Sequence, residues 1–191
     1  MHRPDIARLF ATRITRLSCY GSLSVVLALY LAEPGLDEKQ IGLLFTFTLA
    51  GDAVITLWLT TTADRMGRKR TLIAGAFLML AAGVVFIITR NVFILMIAAI
   101  IRVISPSSKE IGPFLSVEQA SLAQLLSNRQ RTRAFAWYNL AGSIAAAIGA
   151  LCGGWLAETG HAHGMSNLEA YRLVLMEYAF GGLILLDRIS P

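Results

Sequence analysis

Charge is scarce in this chain. Only 15% of its 191 residues are Asp, Glu, Lys or Arg, while 55% are hydrophobic and mean hydropathy is +0.61. Soluble domains usually carry nearer a quarter charged residues, so there is too little polar surface here to cover a core of this size. Cysteine is nearly missing too. Cys19 and Cys152 each fall inside an apolar run, which excludes a disulfide framework and reads as two packing thiols. His161 and His163 in "ETGHAHGMSN" have no further ligand beside them and read as solvated residues of a flexible outer loop, not a metal pair. There is no N-x-S/T acceptor, G-x-G-x-x-G, Walker loop, G-x-S-x-G or H-E-x-x-H. An ATP-driven pump or a hydrolase has no visible equipment, so the expectation is a protein that is not an enzyme and holds no cofactor or metal.

Long apolar runs are present instead. They cover about 17–32, 41–62, 71–89, 92–114, 134–156 and 171–186, and about 20 apolar residues suffice to cross a hydrocarbon layer of roughly 30 Å. The expected fold is all-α and integral to the membrane: one six-helix transmembrane bundle over 1–191, with no soluble domain or linker. The first and last runs are short, so their helices extend into flanking polar residues such as Arg16 and Asp187. Pro34 and Gly35 in "EPGLDEKQIG" end the first helix, and Asp37 with Gln40 offers a capping box for the second. The Arg-rich start followed by "LSCYGSLSVVLALYLAEPG" has the layout of a signal peptide, but the later spans favour a retained first helix.

The bases set an orientation. With the amino terminus in the cytoplasm, twelve of the 17 bases fall on inner segments: Arg3, Arg8, Arg13 and Arg16, then Arg65, Arg68, Lys69 and Arg70, then Arg129, Arg131 and Arg133, then Arg188. Only Lys39, Arg90 and Arg172 fall outside, and Arg102 and Lys109 lie within the fourth run. That asymmetry is the positive-inside rule. It accounts for the pI of 9.6 without nucleic-acid binding.

One inner segment, "TTADRMGRKR" at 61–70, carries more than a topology signal. Gly67 supplies a turn that tolerates positive φ, and Asp64 stands beside the amino-terminal dipole of the following helix. At these residues the chain resembles the major facilitator superfamily of secondary transporters, whose signature between helices two and three reads G-x-L-A-D-R-x-G-R-R/K-R/K-x-L. Ala63, Asp64, Arg65, Gly67, Arg68, Lys69 and Leu72 match in register, while Thr60 replaces the leading glycine and Thr62 the leucine. "GSLSVVLALYL" is similar to the family's first helix, and "NRQRTRAFAWYNLAGSIAAAIGALCGGWL" to its fourth loop and fifth helix. "VISPSSKEIGPFLSVEQASLAQL" is similar to the fourth helix of a less characterised branch. The resemblance implies two six-helix bundles with solute held between them, of which this chain matches the amino-terminal one. It further implies that Asp64, Arg65, Gly67, Arg68 and Lys69 form a cytoplasmic gate motif in which Asp64 and Arg65 latch one conformation.

Ionisable residues at membrane depth are costly and are functional candidates by default. Asp52, in "LAGDAVITL", reads either as a carboxylate hydrogen-bonded between helices or as a proton-binding or substrate-facing cavity group. Arg102, Lys109 and Glu110 share roughly one helical face. Arg102 and Glu110 are candidate cavity charges, while interfacial anchoring is the plainer reading of Lys109 with Glu110. Pro106 among three serines breaks the ladder between them. Glu118, on an amphipathic continuation of helix four, reads as solvated or, by resemblance, as a gate partner of the bases after span two. Glu177 is ambiguous between packing and cavity lining.

On the fifth span Ala141, Ala145, Gly149 and Gly153 recur at four-residue intervals, the pattern of a close helix–helix contact with Gly149 and Gly153 as packing residues. Only half of the family's antiporter motif is there, since Ala145 and Ala150 replace its first glycine and its proline. Together these features point to transport of a small solute by alternating access, with proton coupling as one form of it. The partners are that solute, protons and membrane lipids, with dimerisation if the chain acts as a half-transporter. A plasma membrane or bacterial inner membrane is the default location. The rival is a truncated, non-transporting structural or regulatory membrane fragment.

Overall fold

A computed structural model describes residues 3–32, 37–89, 94, 113–126 and 128–189. Among these residues the chain forms six helices and no strand: α1 (Arg3–Ala32), α2 (Glu38–Met66), α3 (Arg68–Ile88), α4 (Pro113–Leu125), α5 (Asn128–Ala162) and α6 (Asn167–Ile189). The expected fourth run, 92–114, lies outside the described residues except at 94, 113 and 114.

The helix ends follow local chemistry. α1 starts at Arg3 with Pro4 in its first turn, far ahead of the apolar run at 17. Proline suits that turn because its missing N–H would have had no intrahelical acceptor. Pro113 opens α4 in the same way. Before α2 the Gln40 amide donates to Asp37 Oδ1 at 2.8 Å, and the Asp37 amide donates to Gln40 Oε1 at 3.1 Å. That is the reciprocal capping box expected there.

α5 ends on Gly164 at φ 79°. The Met165 amide reaches back to the Gly160 carbonyl at 3.1 Å and the Gly164 amide to the His161 carbonyl at 2.9 Å, the paired bonds of a Schellman motif. The supposed flexible loop around His161 and His163 is thus mostly helix end. His161 sits in the last turn of α5 with its ring edge-on to Tyr171 at 5.8 Å, and His163 Nδ1 lies 2.8 Å from the Thr159 carbonyl. α6 then opens with Glu169, whose carboxylate accepts from the Ser166 amide at 2.9 Å and the Ser166 hydroxyl at 2.8 Å.

α1 is the central helix, packed mainly on α5 and also on α6, while α3 packs on α6. The α1–α5 contact is backbone against backbone. A Cβ placed on Gly149 would lie 2.0 Å from the Ser18 carbonyl oxygen, and one on Gly153 would lie 2.6 Å from Ser22 Cα. Gly142 meets Arg13 and Leu17 at the next level down, so the partners advance together along both helices, which therefore run parallel. Gly83 packs on Ala179 and Gly182 on Leu80, an antiparallel α3–α6 pair. Between these helices Leu23, Val26, Leu27, Tyr30, Met79, Phe86, Val174, Leu175, Tyr178 and Leu185 form the apolar core. Tyr30 carries its hydroxyl into that core and donates it to the Phe86 carbonyl at 2.5 Å. Cys19 is buried there, whereas Cys152 is exposed on α5, so the packing role fits only the former.

Among the described residues one helix is long and apolar enough to cross a membrane, Gln130–Ala162 within α5; Leu72–Ile88 of α3 is apolar but shorter. Leu151 and Trp155 on α5, Leu57 on α2 and Ile88 on α3 are all exposed.

Gly149→Ala is expected to lower stability by about 1–3 kcal/mol, the usual cost of overpacking. Gly154→Ala, whose Cβ would meet only Val25 at 4.0 Å, should leave the unfolding midpoint unchanged in the same thermal assay. A second expectation concerns pH. Hydrogen bonds from the Ser166 amide and then its hydroxyl hold the Glu169 carboxyl below its ordinary value of 4.5. A depressed folded-state pKa contributes stability that is present above the ordinary value and is lost as pH falls through the folded one. Protection of the amides at 167–170 relative to their intrinsic exchange rates should therefore fall on acidification below the ordinary carboxylate range, and Ser166→Ala, which removes the hydroxyl but keeps the amide, should weaken that dependence.

Candidate functional site

Among the described residues the strongest concentration of buried charge joins α1, α4 and α5. Thr12, Arg13 and Arg16 occupy one face of α1 and are buried, Arg16 at 0% exposure. Arg16 donates Nη1 to Glu118 Oε1 at 3.0 Å and Nη2 to Glu118 Oε2 at 2.7 Å. This is the bidentate fork that a planar guanidinium makes with a carboxylate. Glu118, on α4, is itself 1% exposed. Its Oε2 also accepts from the hydroxyl of Tyr138 on α5, and its Oε1 lies 3.3 Å from the Thr12 hydroxyl, whose one proton also has the Leu9 carbonyl in range at 3.0 Å.

Three donors and a shared fourth thus meet a carboxylate with about four lone-pair sites. That is the condition under which a buried ion pair is tolerable, because desolvation penalises any oxygen left unmade. Arg13 extends the cluster: its guanidinium lies 4.2 Å from the centroid of the Tyr138 ring and its Nη2 donates to Asn139 Oδ1 at 3.2 Å. Phe10 closes the other side of Tyr138 edge-on at 5.1 Å. The arrangement offers no nucleophile and no open acid–base pair. Chemically it is an electrostatic clamp that fixes three helix segments relative to one another.

Glu118 therefore does not lie on a solvated face, and its described partners are in α1 and α5, while the side chains of Arg65, Arg68 and Lys69 around the α2–α3 turn lie outside the described part. Gly67 forms the whole connection between α2 and α3, at φ 85° and ψ 141°, a backbone region that glycine enters freely and other residues do not. Asp64, Arg65, Arg68 and Lys69 flank it on helical backbone, with side chains outside the described part, as is that of Asp52. Arg102, Pro106, Lys109 and Glu110 lie outside the described residues altogether. Gly149 and Gly153 meet α1 as given above. Glu177 is half-buried, and Ser22 Oγ lies 3.1 Å from its Oε1.

Sequence reasoning missed Arg16, Thr12 and Tyr138 as members of a site. The available signal was the position of Arg16 at the edge of the first apolar run, where a base deep enough to be buried needs an acid partner.

A model of the Major Facilitator Superfamily matches residues 9–186. The chain belongs to that superfamily. Another similar protein is an uncharacterized membrane protein of Saccharomyces cerevisiae, 42% identical over 180 residues, which are 92% of this chain and 40% of the yeast protein. This superfamily member thus spans about two fifths of the length of that relative, and both comparisons place it among membrane proteins.

Breaking the clamp from one side should be far more damaging than removing it. Glu118→Met leaves the Arg16 guanidinium buried without its counter-charge, which is expected to cost about 3–5 kcal/mol. The double variant Arg16→Met with Glu118→Met should regain most of that loss. A thermal or denaturant double-mutant cycle checks it, and additive effects would show that the two side chains do not act as a unit.

Proposed function

We propose that this chain is the amino-terminal six-helix bundle of a secondary transporter that moves a small solute across a membrane by alternating access. A matching second bundle would come from the remainder of a longer protein. The observation that carries the reading is the superfamily match across residues 9–186, with A-D-R-x-G-R-K falling on a one-residue turn between two long helices. The relative's greater length supports the second bundle. The parallel course of α1 and α5 and the core contacts between α1 and α3 put the Arg16–Glu118 clamp and Gly67 toward the same end of the molecule. The base asymmetry supports a cytoplasmic location for that end.

Two devices would then operate there. The clamp keeps α1, α4 and α5 together as a rigid group while the two bundles rock. Asp64 and Arg65, presented by the Gly67 turn, latch one state. Asp52, Arg102 and Glu110 are the cavity groups that would meet solute, and Asp52 the one that would exchange a proton with it.

Transport by the full-length protein in proteoliposomes, screened against a panel of solutes, tests this reading. Asp64→Asn is expected to lower the initial rate about tenfold with membrane insertion intact, equivalent to roughly 1.4 kcal/mol in the gating equilibrium. Gly67→Ala, which must adopt a disfavoured backbone conformation worth about 1–3 kcal/mol, should lower it as well. An unchanged rate in the Asp64 variant would remove the latch. Absence of transport for every solute would favour a non-transporting role.

A further inference from the structure

Glu177 of α6 reaches into the seam where α1 meets α5. Its Oε1 lies 3.1 Å from Ser22 Oγ, while its Oε2 is buried with no hydrogen-bond partner among the described residues. Ser22 is 0% exposed. Its hydroxyl has one proton but three acceptors in range: the Ser18 carbonyl at 3.2 Å, the Gly149 carbonyl at 2.9 Å and Glu177 Oε1 at 3.1 Å. One hydroxyl serves only one of these well, and each carbonyl has a second lone pair. Among the described residues the pocket is therefore rich in oxygen acceptors and short of positive charge.

Among the described residues, the helices packed around Glu177 do not supply that charge. α1 presents Ser22 and Cys19, the latter within electrostatic range. α5 presents Gly149, and its Cys152 and Glu158 are exposed. α3 has no ionisable side chain between Leu72 and Ile88. On α6 the neighbouring Tyr178 is in the apolar core, and Arg172, five residues earlier, is turned roughly 140° around the helix. A carboxylate in an apolar interior is costly without a compensating positive charge.

We propose that Glu177 and Ser22 form a binding site for a small monovalent cation, a proton or a sodium ion, in the α1–α5–α6 seam. Either would place one positive charge between the unpartnered carboxylate oxygen and the oxygens of Ser22, Ser18 and Gly149. A proton would let the carboxyl donate; a sodium ion would use the same oxygens as ligands. The site stands independently of the transport reading, because binding can be read without turnover.

The experiment follows unfolding of the full-length protein in lipid nanodiscs, varying sodium chloride against choline chloride at fixed ionic strength and, separately, varying pH. A ligand that binds only the folded state raises the melting temperature with its concentration. The expected result is such an upward shift in one of the two series, lost in Glu177→Gln and weakened in Ser22→Ala. A sodium-dependent shift assigns sodium. A shift on acidification, with a carbodiimide adduct on Glu177 found by mass spectrometry that fades as pH rises, assigns the proton. The labelling needs no variant, so it decides the matter even if a substitution unfolds the protein. No shift and no adduct would overturn the proposal, as would a shift that survives unchanged in folded Glu177→Gln.

Discussion

Backbone contact between α1 and α5 is the constraint on which the rest of the molecule depends. The side chains of Gly149 and Gly153 are absent where Ser18 and Ser22 need the space. This brings two helix backbones together without large side chains between them, the usual basis of helix association where apolar burial gives little contrast with lipid. It also fixes what can sit beside the seam. Tyr138 reaches the Arg16–Glu118 pair because α5 is held against α1 at that depth. Ser22 meets the Gly149 carbonyl and Glu177 for the same reason.

Two polar sites thus share one scaffold with opposite character. At the first, the Glu118 carboxylate has a cation and two hydroxyls around it, and every oxygen has its donors. At the second, Glu177 has, among the described residues, a single hydroxyl and one oxygen without a partner. A buried carboxylate with donors on both oxygens resists change, since any movement of one partner exposes the other to the full desolvation penalty. An unsaturated acid invites a partner. Rigidity at one end of α1 and responsiveness further along it follow from how many donors each carboxylate meets.

Much of the fold was legible because it is written locally. The Asp37–Gln40 box, the glycine turn at Gly67 and the small-residue stripe of α5 all depend on residues within a few positions of one another. The length of α1 was not legible from hydropathy, since its basic first half is helical without being apolar. The two carboxylate sites were harder still. Arg16 and Glu118 are 102 residues apart and Ser22 and Glu177 are 155 apart. Which face of a helix meets which neighbour depends on rotations that a periodicity argument leaves free. Glu118 sits in a sequence that looks amphipathic and solvated, and only the depth of Arg16 on the neighbouring helix makes it a buried group.

Gly67 has a mechanical meaning. With a single residue between the end of α2 and the start of α3, the two helices are joined through essentially one pair of backbone torsions. Such a joint permits α2 to swing relative to α3 but not to slide along it, because consecutive Cα atoms stay about 3.8 Å apart. Since α3 is packed on α6, which is packed on α1, α3 is the more firmly held arm, while α2 rests more lightly on α1, α3 and α4. Any displacement of α2 is thereby an angle rather than a translation, growing with distance from the joint and largest toward Glu38.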